Sequence, residues 1–228
     1  MLRAIVRPFV ALYSFVRLIR SPEDNLGSVV SLLNSLIDEG VLARIRQGLP
    51  RHPQVAAALV ARPRIAPVDL NDLLKLPSDT LGYAWAKFLT DHGFSLDDLP
   101  AMNNAEGDFW ISTHMRETHD LMHVLTGFDT DIPGEMGVQG FQAAQLPGLP
   151  VPYLLAAGVM LNSAGFQSAE VAGARMAAFQ RGYLMGKQAQ LLFGLDWRSM
   201  FHLPLAEVRA TLKLDPEAAT AATTARAA

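Results

Sequence analysis

Apolar residues recur along this chain at three- and four-residue intervals, the spacing that places them on one face of an α-helix. Residues 1–20 open the pattern, with Ile5, Val6, Phe9, Val10, Leu12, Phe15, Val16, Leu18 and Ile19 set among four arginines and no acid. Ser21-Pro22-Glu23-Asp24 then reads as a helix cap with proline at the first helical position. The helix it starts carries Val29, Val30, Leu32, Leu33, Leu36 and Ile37 and is expected to stop at Gly40. A short helix is predicted over 68–76. A third runs from Pro77-Ser78 through Trp85, Phe88 and Leu89 to a glycine stop at Asp91-His92-Gly93, and 95–99 forms a turn.

The second half follows the same rule. A long helix is predicted over 106–126, closed by Gly127, and another over 132–145. Leu146-Pro147-Gly148-Leu149-Pro150 breaks the chain, and helices rich in alanine and glycine follow over 151–163 and 168–193. Pro204 starts a last short helix, and the alanine and threonine tail from Asp215 is expected to fray. No strand alternation, hairpin dipeptide or internal repeat interrupts this pattern. The fold class is therefore all-α: a single-domain helical bundle with one long helix over 106–126. Residues 1–20 are expected to form a basic amphipathic helix, 21–214 the helical domain, and 215–228 a flexible tail.

Composition narrows the function. Half of the 228 residues are hydrophobic, 18% are charged, and the net charge is −3, which favours a packed core over disorder. That balance gives no basic footprint for nucleic acid. With no cysteine, a metal can be held only by His, Asp or Glu. The first helix is the exception to the even charge: its arginines and apolar side chains suit a membrane interface, or equally a face packed on the domain. It lacks the tripartite pattern of a secretory signal, and can also pass for a mitochondrial presequence.

Two of the six histidines stand out. In His119-Asp120-Leu121-Met122-His123 the imidazoles are four residues apart, about 40° apart around a helix and one turn apart along it. Asp120 lies at the edge of that face. Eleven residues separate His123 from Glu135, enough for a helix stop, a tight loop and an antiparallel return. Glu135 then falls in a first helical turn, where unpaired amides favour a charged carboxylate. Such nitrogen and oxygen ligands suit zinc, with iron, manganese or cobalt as alternatives, and leave a position for water or substrate. An ordinary polar helix face, with Asp120 paired to Arg116, fits the spacing too. His114 lies about 140° from His119 and reads as a surface or core residue.

The string His119-Asp120-x-x-His123 followed by Glu135 resembles the metal motif of the coenzyme Q biosynthesis protein 4 family. Leu76-Pro77-Ser78-Asp79-Thr80-Leu81-Gly82, Arg116-Glu117, Gly134-Glu135 and the stretch 145–150 resemble that family as well, over about 21–212. Gln139 and Gln142 depart from its charged pattern. The resemblance implies a divalent metal on His119, Asp120, His123 and Glu135, with Arg116 beside it as a partner of Asp120 or of a substrate carboxylate. It implies C1 decarboxylation, oxidative in its fuller form, of a polyprenylated 4-hydroxybenzoate during ubiquinone synthesis. The apolar helices suit a homodimer or an assembly with other ubiquinone-biosynthesis proteins. The expected location is peripheral, on the cytoplasmic face of the inner membrane in a bacterium or on the mitochondrial inner membrane in a eukaryote. The alternatives are a non-catalytic polyprenyl-lipid scaffold and, from the His119-Asp120 pair, an HD-type phosphohydrolase drawing on His92 or His114. The glycines of the later helices read first as close packing and second as a slim-walled groove for an isoprenoid tail.

Overall fold

The computed structural model describes residues 2–22, 26–49, 51–94, 107 and 109–217, and the regular structure among them is helical. The chain divides into two compact units. Unit 1 comprises Met1–Leu49, Phe128–Lys187 and Ala218–Ala228, and unit 2 comprises Pro50–Gly127 and Gln188–Glu217.

In unit 1 the helices are α1 (Leu2–Arg20), α2 (Leu26–Leu36), α3 (Glu39–Gly48), α9 (Ile132–Gln145), α10 (Pro150–Phe166) and α11 (Ala169–Gln188). The pattern of residues 1–20 becomes α1, which packs on α2 and α10. Its Ala11 and Leu18 join Leu32 in a buried cluster, with Phe15, Leu154 and Leu155 against it. Arg7 also turns inward, donating to the carbonyls of Ser35 (3.1 Å) and Ile37 (3.2 Å) beyond the end of α2. The opposite side of α1 stays apolar and exposed at Phe9, Leu12 and Tyr13. No helix among the described residues is long and apolar enough to cross a membrane.

Gly40 does not end a helix. The Asp38 carboxylate accepts from the Val41 amide (2.9 Å) and begins α3 one residue before that glycine, which costs the helix less than the cap contributes. The Ser21–Asp24 cap falls partly outside the described residues, as do the turn at 95–99 and the tail beyond 217.

Gly140 of α9 and Gly182 and Gly186 of α11 mark where the two helices cross. A Cβ on Gly182 would strike the Gly137 carbonyl, one on Gly140 the Phe179 carbonyl, and one on Gly186 the Phe141 carbonyl. The seam is backbone against backbone, and Gln145 Nε2 ties it by donating to the Gly186 carbonyl (2.8 Å). Gly165 and Gly173 face open space instead. Beside the seam Met136, Ala156, Val159 and Ala178 form a second core. Arg175, 2% exposed, donates there to Asn162 Oδ1 (2.7 Å) and Ser163 Oγ (3.1 Å).

In unit 2 the helices are α4 (Pro53–Ala61), α5 (Leu70–Leu73), α6 (Leu81–Asp91), α7 (Phe109–Glu117), α8 (His119–Thr126) and α12 (Leu205–Leu212), with a 3-10 turn at Trp197–Met200. Trp85, Trp110 and Trp197 are buried at its core, and Trp85 stacks on Phe201 at 5.3 Å. Thr80 caps α6, and the amides of Leu81 and Gly82 bond the carbonyls of Leu203 and Phe201, both at 2.9 Å. The helix predicted to 193 stops at Gln188, because Gln190 leaves it to donate to the last carbonyl of α12, that of Leu212 (2.8 Å).

Candidate metal centre

The predicted helix over 106–126 is two helices. The break falls at Thr118 (φ −96°, ψ −4°), whose hydroxyl donates to the His114 carbonyl at 2.8 Å. Such back-bonding competes with the helical ladder and bends it. It makes His119 the first residue of a new eight-residue helix, α8. Gly127 closes α8 in the left-handed conformation (φ +72°), its amide returning to the His123 carbonyl. Arg209 donates to the carbonyls of Leu125 (3.0 Å) and Val124 (2.8 Å), a cation placed at the negative end of the helix.

On α8 the side chains of His119, Asp120 and His123 come together, with one ligand atom of each within 4.8 Å of the others. The Nε2 atoms of the two histidines are 3.4 Å apart and the rings stand at 82° to each other. Two nitrogens bound to one tetrahedral ion at about 2.0–2.1 Å would be roughly 3.3–3.4 Å apart. The observed separation thus fits a shared cation. It also fits a long hydrogen bond between complementary tautomers. His123 is 1% exposed, whereas His119 and Asp120 are only partly buried, so the cluster is closed behind and open in front.

Phe88 of α6 supplies the back wall, its ring stacked on His123 with centroids 5.6 Å apart and planes 18° apart. The same ring meets His92 (4.4 Å), which is exposed and hydrogen-bonds through Nδ1 to the Phe88 carbonyl (2.8 Å). His114 is a core residue. It packs on Trp110 and Phe193, and its Nε2 accepts from the Gly194 amide (3.0 Å). Burial pulls its pKa down to about 4, so the ring is neutral at pH 7. Neither His92 nor His114 belongs to the three-residue group found among the described residues, and the phosphohydrolase reading needs such a histidine.

Arg116 sits in the last turn of α7, partly buried, and burial lowers its pKa. Glu135 lies in the first turn of α9, which Asp131 caps by accepting from the Gly134 amide (2.7 Å). It belongs to unit 1, whereas the histidines belong to unit 2. Its place in the ligand set therefore rests on the motif alone. The supports of the cluster escaped the sequence reading. Phe88 was visible only as one apolar residue of a helix face. Arg209 lies 84 residues from Leu125, and no periodicity signals a contact at that separation.

A family model described as "Coenzyme Q (ubiquinone) biosynthesis protein Coq4" matches residues 2–218. A zebrafish relative named "Ubiquinone biosynthesis protein COQ4 homolog, mitochondrial" is 29% identical over 157 residues, 67% of this chain and 57% of that protein. The rat protein of the same name is 27% identical over 194 residues, 82% of this chain and 71% of its own length. Among solved structures, the chain is similar to a crystal structure from Nostoc punctiforme PCC 73102 of a protein provisionally described as acting in ubiquinone biosynthesis. That likeness has a TM-score of 0.75 and 28% identity, and covers 89% of this chain and 95% of the other.

Proposed function

The chain belongs to the coenzyme Q (ubiquinone) biosynthesis protein Coq4 family, and from that premise we propose that it removes the C1 carboxylate of a polyprenylated 4-hydroxybenzoate at a divalent metal. The observation that carries this reading is the 3.4 Å separation of the His119 and His123 Nε2 atoms, with Asp120 beside them. His119, Asp120, His123 and, from the motif, Glu135 are the proposed ligands. Zinc comes first for such a donor set, with iron, manganese and cobalt as alternatives. A bound ion would supply a Lewis acid that stabilises negative charge on the substrate's oxygens.

The protein's own groups bind and orient. Arg116, three residues before His119 in the last turn of α7, is the residue assigned to pair with the substrate carboxylate and fix which ring carbon is presented. Phe88 and buried His123 keep water from the rear of the site. The reaction balances with a single proton. The ionised phenol pushes electron density across the ring, C1 takes the proton, and the pair of the C1–carboxylate bond returns to the ring as carbon dioxide leaves. Replacement of the carboxylate by hydroxyl would need dioxygen and two electrons in addition.

A polyprenyl tail resides in a bilayer, and the exposed Phe9, Leu12 and Tyr13 of α1, on a helix bearing four arginines and no acid, favour contact with an anionic membrane surface. In this reading the protein is peripheral, at the inner membrane of a bacterium or mitochondrion, and works as a homodimer with other ubiquinone-biosynthesis proteins. The same exposed apolar face favours a second reading, a lipid-binding scaffold without chemistry. The two are separated by incubating metal-loaded protein with a prenylated hydroxybenzoate labelled at the carboxyl carbon. Labelled carbon dioxide, lost in His119→Ala, supports the enzyme; substrate binding with no release from wild type rejects it. Labelled dioxygen in the same assay distinguishes the hydroxylating version.

A further inference from the structure

We propose that Glu117 is a positioning residue: its carboxylate, clamped by Arg64 and the Ile65 amide, fixes the backbone that enters α8 and so the place of His119 relative to His123. The inference rests on the metal reading of the cluster and adds how that cluster is held. Glu117 is 6% exposed and ends α7. Its Oε1 accepts from Arg64 Nη2 (2.6 Å) and Nε (2.8 Å), and its Oε2 accepts from the Ile65 amide (3.1 Å). Three charge-assisted bonds from a guanidinium fork and a backbone amide fix a carboxylate in direction as well as position.

The location of the clamp gives it leverage. The clamp fixes the last residue of α7, one residue before the break at Thr118 and two before His119. An eight-residue helix spans only about 12 Å and does not hold its own orientation. Thr118, which precedes it, makes no side-chain cap hydrogen bond, so the first turn of α8, carrying His119 and Asp120, depends on the backbone before it. Arg209 secures the far end through the Val124 and Leu125 carbonyls, and the clamped Glu117 stands just before the near end. Release of the clamp loosens that first turn and moves His119 against His123, which stands one turn further along α8. Metal–ligand distances tolerate about 0.2 Å.

The geometry also explains a buried carboxylate at a helix C-terminus, where the dipole disfavours one. A buried ion pair adds little net stability over an apolar pair. Its consequence here is directional.

The test titrates the purified apo full-length chain with cobalt(II), reading affinity and the visible absorption band, with far-UV circular dichroism to report the folded fraction. Glu117→Gln and Arg64→Ala are expected to weaken cobalt binding by about ten- to a hundredfold and to alter the band at saturation. Arg64→Lys, which keeps a cation against the carboxylate, is expected to recover most of the affinity. Should Glu117→Gln fail to fold, the two Arg64 variants carry the test, because that side chain is more than a third exposed. Wild-type affinity and band in folded Glu117→Gln or Arg64→Ala would overturn the proposal. So would a loss no larger than the unfolded fraction. Equal binding by every variant removes the positioning role alone, whereas a wild-type chain that binds no cobalt removes the metal reading and the positioning role with it.

Discussion

Replacing Gly182 by alanine should destabilise unit 1, and replacing Gly173, nine residues earlier on α11, should stabilise it. The added Cβ at position 182 collides with the Gly137 carbonyl and lies 3.0 Å from the Phe141 nitrogen. Both neighbours are backbone of α9 and cannot turn aside, so relief requires the helices to separate. Overpacking of this kind costs about 1–3 kcal/mol, and alanine's better helix propensity returns about 0.8–1 kcal/mol. Because rigid backbone puts the cost at the upper end of that range, the net loss is about 2 kcal/mol, a fall in melting temperature of roughly 4–8 °C for a chain of this size. At Gly173 nothing lies within 4 Å of the added Cβ. The propensity term acts there alone and should raise the melting temperature by roughly 1–4 °C. Paired thermal unfolding, followed by circular dichroism, reads the difference in sign. A stabilised Gly182→Ala would refute the interlocking seam and revive the alternative in which these glycines line an open groove for an isoprenoid.

Three further predictions concern other parts of the molecule. Because burial holds the His114 pKa at about 4, the unfolded chain takes up a proton below about pH 6.5 that the folded chain refuses. Its contribution to stability is therefore full above that pH and is lost as pH falls towards 4, by about 3 kcal/mol in all; urea midpoints between pH 7.5 and 4 should show a shallower decline in His114→Gln, and an unchanged decline would assign the loss elsewhere. Arg209→Ala frees two carbonyls at the end of α8 and should cost about 1–2 kcal/mol, with faster amide exchange along 119–127; exchange no faster than wild type would show that the arginine does not hold that helix. Phe9→Glu with Leu12→Glu should weaken binding to anionic vesicles while leaving the fold intact, since both side chains are exposed, whereas deleting residues 1–20 would strip Ala11 and Leu18 from the core. Undiminished vesicle binding by the double variant would remove α1 from the membrane contact.

What could be read from the sequence divides along physical lines. The helix over 132–145 was legible to the residue, because Asp131, Pro133 and the proline-glycine break after Gln145 are local signals. The pair His119 and His123 was legible because a single helical turn brings them together whatever the rest of the chain does. Gly40 misled because a glycine stop and a glycine inside a capped helix look alike until Asp38 is seen to bond Val41. The break at Thr118 was hidden because its apolar periodicity runs on through the bend. The division of the chain into two units could not be read, since the helices of unit 1 come from residues 1–49 and 128–187, with residues of unit 2 between them in the sequence. The clamp on Glu117 joins residues 53 apart, and its partner Arg64 sits in a loop with no pattern.

Metal content bears most directly on the account. The purified chain, with His119→Ala and Glu135→Ala prepared beside it, should be reconstituted with zinc, desalted and assayed by elemental analysis. The account predicts about one divalent ion per wild-type chain, almost none in His119→Ala and a marked reduction in Glu135→Ala. A folded His119→Ala that retains the wild-type content, or a wild-type chain that retains no metal, would contradict it.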